Sequence, residues 1–293
     1  PALQRAIWLA RQTGASLELL LCEYQSAVEH GHLFAPHASD QARTALLQQR
    51  QEWLESLAAP LRDDGLQVQL SVRWGKPLEQ VILQRVAELQ PDLLLKSSHQ
   101  HHNLKQRLLG NSSWQLLRHC PVPLWLVQHG EWQCRQLCAA LDPLHADDKP
   151  AALDQQLIAT AQLLSDTLGI QPHYLHSYAP VPQSLLFDSA LVEDYAHYRQ
   201  LCATQHRAAF EQLLANAGVP RNQAQLREGF AEEEIARFVR EEQIDLLLMG
   251  AIARGHLANA LLGNTAERVL ESVECDVLIL KAPPATADPA PGK

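Results

Sequence analysis

The sequence lacks the short motifs around which catalysis is commonly built. It contains no G-x-S-x-G, no G-x-x-x-x-G-K-[S/T] and no H-E-x-x-H. A nucleophile elbow, a phosphate-cradling P-loop and a zinc-protease helix are therefore all missing, and the chain is read as non-catalytic. Long apolar runs are missing too. No stretch approaches the roughly 18 residues that a membrane-spanning helix needs. Basic residues are in deficit, with 24 Lys and Arg against 33 Asp and Glu and a net charge of −9. Without clustered Lys and Arg there is no surface for neutralising phosphates, which argues against direct nucleic-acid binding. The six cysteines (Cys22, Cys120, Cys134, Cys138, Cys202 and Cys275) contain no C-x-x-C pair. A chain of this length needs no disulfide staples, so they are read as reduced thiols in a cytoplasmic protein. The opening PALQRAIWLARQTGASLELL is amphipathic with charges inside it and lacks the layout of a secretory signal.

What the sequence has is repetition. LLGNSSWQLL (Leu108 to Leu117) returns as LLGNTAERVL (Leu261 to Leu270). VRWGKPLEQVILQRVAELQPDLLLKS (Val72 to Ser97) is echoed by LREGFAEEEIARFVREEQIDLLLMG (Leu226 to Gly250). The pairs Asp92 and Asp245, Ser97 and Gly250, and Gly110 and Gly263 share one offset of 153 residues. An offset held over about fifty residues marks a duplication.

Each copy alternates short apolar strands with amphipathic helices, the pattern of βαβ units on a parallel sheet. The fold class is therefore α/β, as two tandem doubly wound domains over 1–131 and 134–283. A polar linker at Gln128 to Gln133 joins them, and a Pro/Ala-rich tail over 284–293 reads as disordered. The second half runs strand RQLCAALD (Arg135 to Asp142), a helix to Leu168, strand IQPHYLHSY (Ile170 to Tyr178) and a helix from about Tyr195 to Ala217. Strand AQLREG, a helix, strand DLLLMG, a helix from Asn264 and strand VLILK complete it. The first half begins directly with the helix PALQRAIWLARQTG. It therefore lacks the first strand, whose place would lie between LELLLCEY (Leu17 to Tyr24) and LLLKS (Leu93 to Ser97). A gap, or a replacement strand, is expected there.

A strand ending in Asp, followed by a glycine turn and a spaced glycine at a helix start, resembles the universal stress protein family. Two such halves resemble its tandem branch. The family's adenine-nucleotide signature is Gly-x2-Gly-x9-Gly-(Ser/Thr). The second half reads Gly250-x2-Ala253-x9-Gly263-Asn264, and the first reads Ser97-x2-Gln100-x9-Gly110-Asn111. The resemblance implies an ATP or AMP site in the second half only, at most one per chain. Gly250, Gly263, Asn264 and Thr265 would lie at the phosphates and Asp142 near the ribose or base. Backbone N–H groups at a helix start suit phosphate, and glycine lets the backbone come close. The resemblance also implies a role in resistance to stress, DNA damage included, by binding rather than turnover. It further implies an intramolecular pseudo-dimer in which LWLV (Leu124 to Val127) lies beside LILK (Leu278 to Lys281).

Other readings of the same residues stand beside these. Asn264 with Glu267 reads as a capping box, and Asn111 as a cap without the reciprocal partner. Asp142 with Pro143 reads as a turn. Gly75 and Gly229 read as structural turns between strand and helix. Cys134 and Cys138, four apart, should share one face of a strand. His99, His101 and His102, like His30, His32 and His37, read as solvated loop residues rather than metal ligands. Two rival functions remain: a weak nucleotide hydrolase, and a binder of an apolar small molecule held between the sheet and VPQSLLFDSALVEDY.

Overall fold

The computed structural model describes residues 1–29, 36–98, 109–128, 132–144, 152–180, 195–251, 253–254 and 261–281. The first half runs α1 (Ala2–Thr13), β1 (Leu17–Glu23), α2 (Ser26–Glu29), α3 (Pro36–Asp63), β2 (Val68–Trp74), α4 (Leu78–Leu89), β3 (Leu94–Ser97), α5 (Asn111–His119) and β4 (Leu124–Val127). The second half opens with β5 (Gln136–Ala140), α6 (Ala152–Leu168), β6 (Gln171–Tyr178), α7 (Tyr195–Asn216) and β7 (Ala224–Glu228). It continues with α8 (Ala231–Glu241), β8 (Leu246–Gly250), the two-residue strands β9 (Ala253–Arg254) and β10 (Leu261–Leu262), α9 (Asn264–Ser272) and β11 (Asp276–Leu280). The expected strands and helices of the second half are all present, with a short 3-10 turn before β7.

Seven strands form one sheet in the order β3-β4-β11-β8-β5-β6-β7. All neighbours are parallel except β4 and β11, which run antiparallel with Leu278 opposite Trp125. The last strands of the two halves thus lie side by side, as expected, and the sheet is continuous from one half into the other. Central strands covered on both faces need apolar residues at every position. Accordingly Leu246, Leu247 and Leu248 of β8 and Val277, Leu278 and Ile279 of β11 are buried. Leu247, Met249, Val277 and Ile279 face one layer, with Leu116, Phe238 and Val269 of α5, α8 and α9. Leu246, Leu248 and Leu278 face the other, with Leu153, Leu157 and Phe210 of α6 and α7.

The duplication persists in the packing. In α9 the buried residues are Ala266, Val269 and Leu270; in α5 they are Ser113, Leu116 and Leu117. Both sets follow the i, i+3, i+4 spacing of a single apolar stripe and are related by the same offset of 153. Burying one such Leu or Val stabilises by roughly 1.5–3 kcal/mol. The glycine turns are structural, as read. Gly75 N–H donates to the Glu23 carbonyl and Gly229 N–H to the Tyr178 carbonyl, docking each turn on the end of the adjacent strand. A Cβ on Gly229 would stand 2.6 Å from the buried Glu234 side chain.

The expected gap is present between β1 and β3. β1 pairs only with β2, as a separate two-stranded sheet, and β3 pairs only with β4. In the second half β5 bonds to both β8 and β6. Among the described residues no strand takes that place between β3 and β1. Every residue of β1 and of β3 is only half-buried. Helix α1 lies against both β3 and β1, as α6 lies against β8, β5 and β6. The covering helix is thus in place over an unfilled position.

Two finer expectations fail. Asn264 and Asn111 are not helix caps. Gly263 and Gly110 are the N-cap residues, both in extended conformation, and no side chain caps either helix. Asn264 falls one residue inside the helix, and Glu267 forms a 3.3 Å ion pair with Arg118 of the first half instead. Cys134 and Cys138 do not share a strand face either. Cys134 has φ of +51° and precedes β5, so the alternation of a strand does not reach it. The two thiols fall in opposite core layers.

Candidate functional site

In an open parallel sheet, ligands bind outside the carboxyl ends of the strands where the strand order reverses. Here the chain leaves β5 for β6 and β7 on one side and returns to β8 and β11 on the other. The reversal lies between β5 and β8. The register pairs Leu137 with Leu246 and Ala139 with Leu248, so continuing it sets Leu141 level with Gly250. Asp142 therefore stands at the carboxyl end of β5 beside the end of β8. Helix α9 lies between parallel β8 and β11, so its N-terminus opens at the same edge. The sequence-predicted residues Asp142, Gly250, Gly263, Asn264 and Thr265 thus share one edge of the sheet.

Their environments differ. Asn264 and Thr265 are exposed in the first turn of α9. Gly263 is extended (φ −64°, ψ 140°), and a Cβ there would meet nothing within 4 Å. The Glu267 N–H donates to the Gly263 carbonyl. The N–H groups of Asn264, Thr265 and Ala266 precede the first helical bond and belong to the set that a helix cannot satisfy itself. Unmatched donors at the positive end of a helix dipole form a site that favours anions.

Gly250 is held by packing. A Cβ added there would stand 2.6 Å from Leu153 Cδ2 and 3.2 Å from Leu153 Cγ. Leu153, in the first turn of α6, is fully buried. This glycine lets α6 close on β8, which is a sufficient reason for its presence. Asp142 is half-buried, and its N–H donates to Asp154 Oδ1 at 3.3 Å. The side chains of Ala253 and Arg254 and the segment 255–260 lie outside the described residues.

Next to Asp142 the structure reveals a ring stack that sequence reasoning missed. His176 Nδ1 lies 3.0 Å from the Leu141 carbonyl. A carbonyl only accepts, so Nδ1 carries the proton and donates, leaving Nε2 as acceptor. His206 Nδ1 meets that Nε2 at 2.8 Å. Tyr178 stacks on His206 with centroids 4.7 Å apart. Burial pushes the His176 pKa down, against weaker support from the Leu141 carbonyl, Asp142 and Asp154. Burial thereby favours the neutral form of His176. No spacing in the sequence links the two histidines, because the contact between β6 and α7 is tertiary.

The first-half edge is built differently. Ser97 Oγ accepts a bond from the Ala2 N–H at 3.2 Å. Lys96 Nζ donates to Ser113 Oγ at 2.9 Å, in the first turn of α5. Burial lowers the Lys96 pKa.

Burial raises the thiol pKa of Cys22 to about 11 and those of Cys134 and Cys275 to about 12. Thiols so shifted are poor nucleophiles and poor metal ligands. Among the described residues no three His, Cys, Asp or Glu side chains are grouped to hold a metal. His30, His32, His99, His101 and His102 lie outside the described residues, as do the side chain of His37 and the tail 284–293. So does most of VPQSLLFDSALVEDY, the segment assigned to an apolar pocket. No helix among the described residues is long and apolar enough to cross a membrane.

Comparison with known proteins agrees with the repeat. The universal stress protein family matches residues 1–128 and again residues 144–281. Universal stress protein E of Escherichia coli K12 is 28% identical over 284 residues, spanning 96% of this chain and 89% of the relative. A Haemophilus influenzae homolog of that protein is 25% identical over 287 residues, spanning 96% and 92%. A Pseudomonas aeruginosa PAO1 protein described as functionally unknown superposes with a TM-score of 0.74 at 25% identity, covering 96% of this chain and 87% of its own. A universal stress protein from Archaeoglobus fulgidus shares the fold, with a TM-score of 0.66 at 15% identity over 96% of this chain and 93% of its own. With both halves matched, the chain belongs to the universal stress protein family, as a tandem member carrying two repeats in one polypeptide.

Proposed function

We propose that the second half binds one adenine nucleotide, ATP or AMP, at the carboxyl ends of β5 and β8. The protein then supports stress resistance in the cytoplasm by binding and signalling, without turnover. The phosphates would lie on the N–H groups of Asn264 and Thr265, with Gly263 giving close access and Asp142 directed to the ribose or base. One observation carries this reading. Helix α9 starts at the strand-order reversal with an extended, unhindered glycine and no side-chain cap. Such a terminus presents several donors and a positive dipole end to an anion. Helix α5 of the first half also starts on an extended, unhindered glycine, Gly110, but there Ser97 and Ser113 are already bonded to Ala2 and Lys96.

Calorimetry with ATP and AMP tests this. The expectation is at most one nucleotide per chain, with binding lost in Gly263→Val and retained in Gly110→Val. A stoichiometry near two, or indifference to Gly263→Val, would show the site to be elsewhere. Phosphate release followed over hours separates this reading from a hydrolase: a steady catalytic rate would reject the non-catalytic reading.

A further inference from the structure

The peptide group just past β5 is held at both ends by buried side chains. The register of β5 with β8 stops at Ala139, and that with β6 stops at Ala140. One more ladder bond follows, from the Leu141 N–H to the Leu175 carbonyl at 2.8 Å. The next peptide group consists of the Leu141 carbonyl and the Asp142 N–H. His176 Nδ1 donates to that carbonyl at 3.0 Å. That N–H in turn donates to Asp154 Oδ1 at 3.3 Å. Both side chains are buried, and they come from different elements, His176 from β6 and Asp154 from the first turn of α6.

His176 is itself fixed from α7. Its Nε2 accepts from His206 Nδ1 at 2.8 Å, and the two rings stack with centroids 5.1 Å apart. The Phe210 ring lies 5.6 Å away. Every bond in this chain runs the same way. His206 donates to His176, His176 to the peptide group, and the peptide group to the Asp154 carboxylate. Hydrogen bonds aligned in this manner polarise one another, and an ionised acceptor at the end strengthens the last of them.

A peptide group shielded from water needs a partner for its donor and for its acceptor. Here neighbouring strands no longer supply them, so side chains do. Free rotation about the backbone bonds on either side would redirect the Asp142 side chain at the carboxyl edge. We propose, resting on the adenine-nucleotide reading for the ligand, that His176 and Asp154 form a two-point clamp on this peptide group and are positioning residues for Asp142. Each acts through the backbone, and His206 keeps His176 in the donating orientation.

Amide exchange of the unliganded full chain and calorimetry with ATP test this together. Asp154→Asn keeps an acceptor oxygen, whereas Asp154→Ala removes it. His176→Asn keeps an amide donor close to the Nδ1 position, whereas His176→Gln moves it out toward Nε2. Relative to the Leu141 N–H, the Asp142 N–H should exchange at least about tenfold faster in Asp154→Ala than in the wild type or Asp154→Asn. Affinity for ATP should fall about three- to tenfold in Asp154→Ala and His176→Gln, the size of one lost hydrogen bond. It should recover in Asp154→Asn and His176→Asn. Leu214→Ala opens the same core layer on α7 and should lower stability while leaving affinity unchanged. Equal relative exchange of the Asp142 N–H in the wild type and Asp154→Ala overturns the clamp. So does an ATP affinity that follows stability across all five variants instead of following donor and acceptor placement. No binding of ATP or AMP by the wild type, with the exchange pattern as expected, upholds the clamp and rejects the nucleotide reading.

Discussion

Gly250 offers a decisive perturbation, because it occupies the first position of the nucleotide signature while packing against a buried leucine. Gly250→Ala places a methyl group 2.6 Å from Leu153 Cδ2 and 3.2 Å from Cγ. Carbon atoms at rest sit about 3.5–4.0 Å apart, so roughly 1 Å must be recovered. Leu153 cannot swing into solvent, since it is fully buried against Leu246, Leu248 and Leu280. Overpacking of this kind costs about 1–3 kcal/mol. Leu153→Ala alone creates a cavity and should cost about 2–5 kcal/mol. In that background the new methyl has room, so Gly250→Ala should cost less than about 0.5 kcal/mol or recover part of the loss. The cycle therefore carries a coupling of about 1–3 kcal/mol. Urea unfolding followed by circular dichroism measures it, given a single transition and an unchanged m-value across the four proteins. If Gly250→Ala is neutral in both backgrounds while ATP affinity falls, the packing argument is wrong and the glycine serves the ligand.

The unfilled position in the first half should accept a strand. Fusing the β5 sequence ahead of Pro1 should raise the melting temperature on the order of 5 °C, since it pairs two open edges and buries apolar side chains; equal melting of the two proteins would remove the argument. Stability should also fall with acid. The folded pKa values of His176 and His173 are depressed mainly by burial. Their contribution is therefore intact above the unfolded histidine pKa of about 6.5, and it is lost as pH drops below that value toward the folded values. Each group contributes at most about 1.4 kcal/mol per pH unit. Urea midpoints between pH 7.5 and 5 should decline, less steeply in His176→Gln, and an unchanged slope in that variant refutes the assignment.

Much of the fold was legible because both-face burial writes parallel strands as unbroken apolar runs. DLLLMG and DLLLKS could hardly be read otherwise, and the offset of 153 then located their partners. The antiparallel seam between β4 and β11 came from family resemblance and not from periodicity. The failures were local. Asn is a better cap than Gly by side-chain chemistry, yet Gly263 takes the cap position and Asn264 starts the helix. One residue of displacement converts a capped terminus into one with open donors, so the misreading bears directly on the site. Cys134 departed from strand spacing because its φ is positive, which four residues of sequence cannot announce. Arg5 and Asp276, 271 residues apart, were beyond any local pattern. Contacts of that kind follow from how α1 packs across both repeats, which is decided by the tertiary fold.

The differences between the halves follow one physical logic. Three sites related by the offset are Lys96 and Met249, Ser97 and Gly250, and Ser113 and Ala266. At each the first half carries a polar group and the second an apolar or glycine residue. In the first half those groups satisfy one another or α1: Lys96 bonds Ser113, and Ser97 receives the Ala2 N–H. In the second half no side-chain bond of the N-cap closes the start of α9 among the described residues. Leu153 packs against Gly250, and His176, itself bonded to His206, donates to the carbonyl just before Asp142. The duplication thus kept one sheet and two helix stripes, while the side chains at the strand ends diverged.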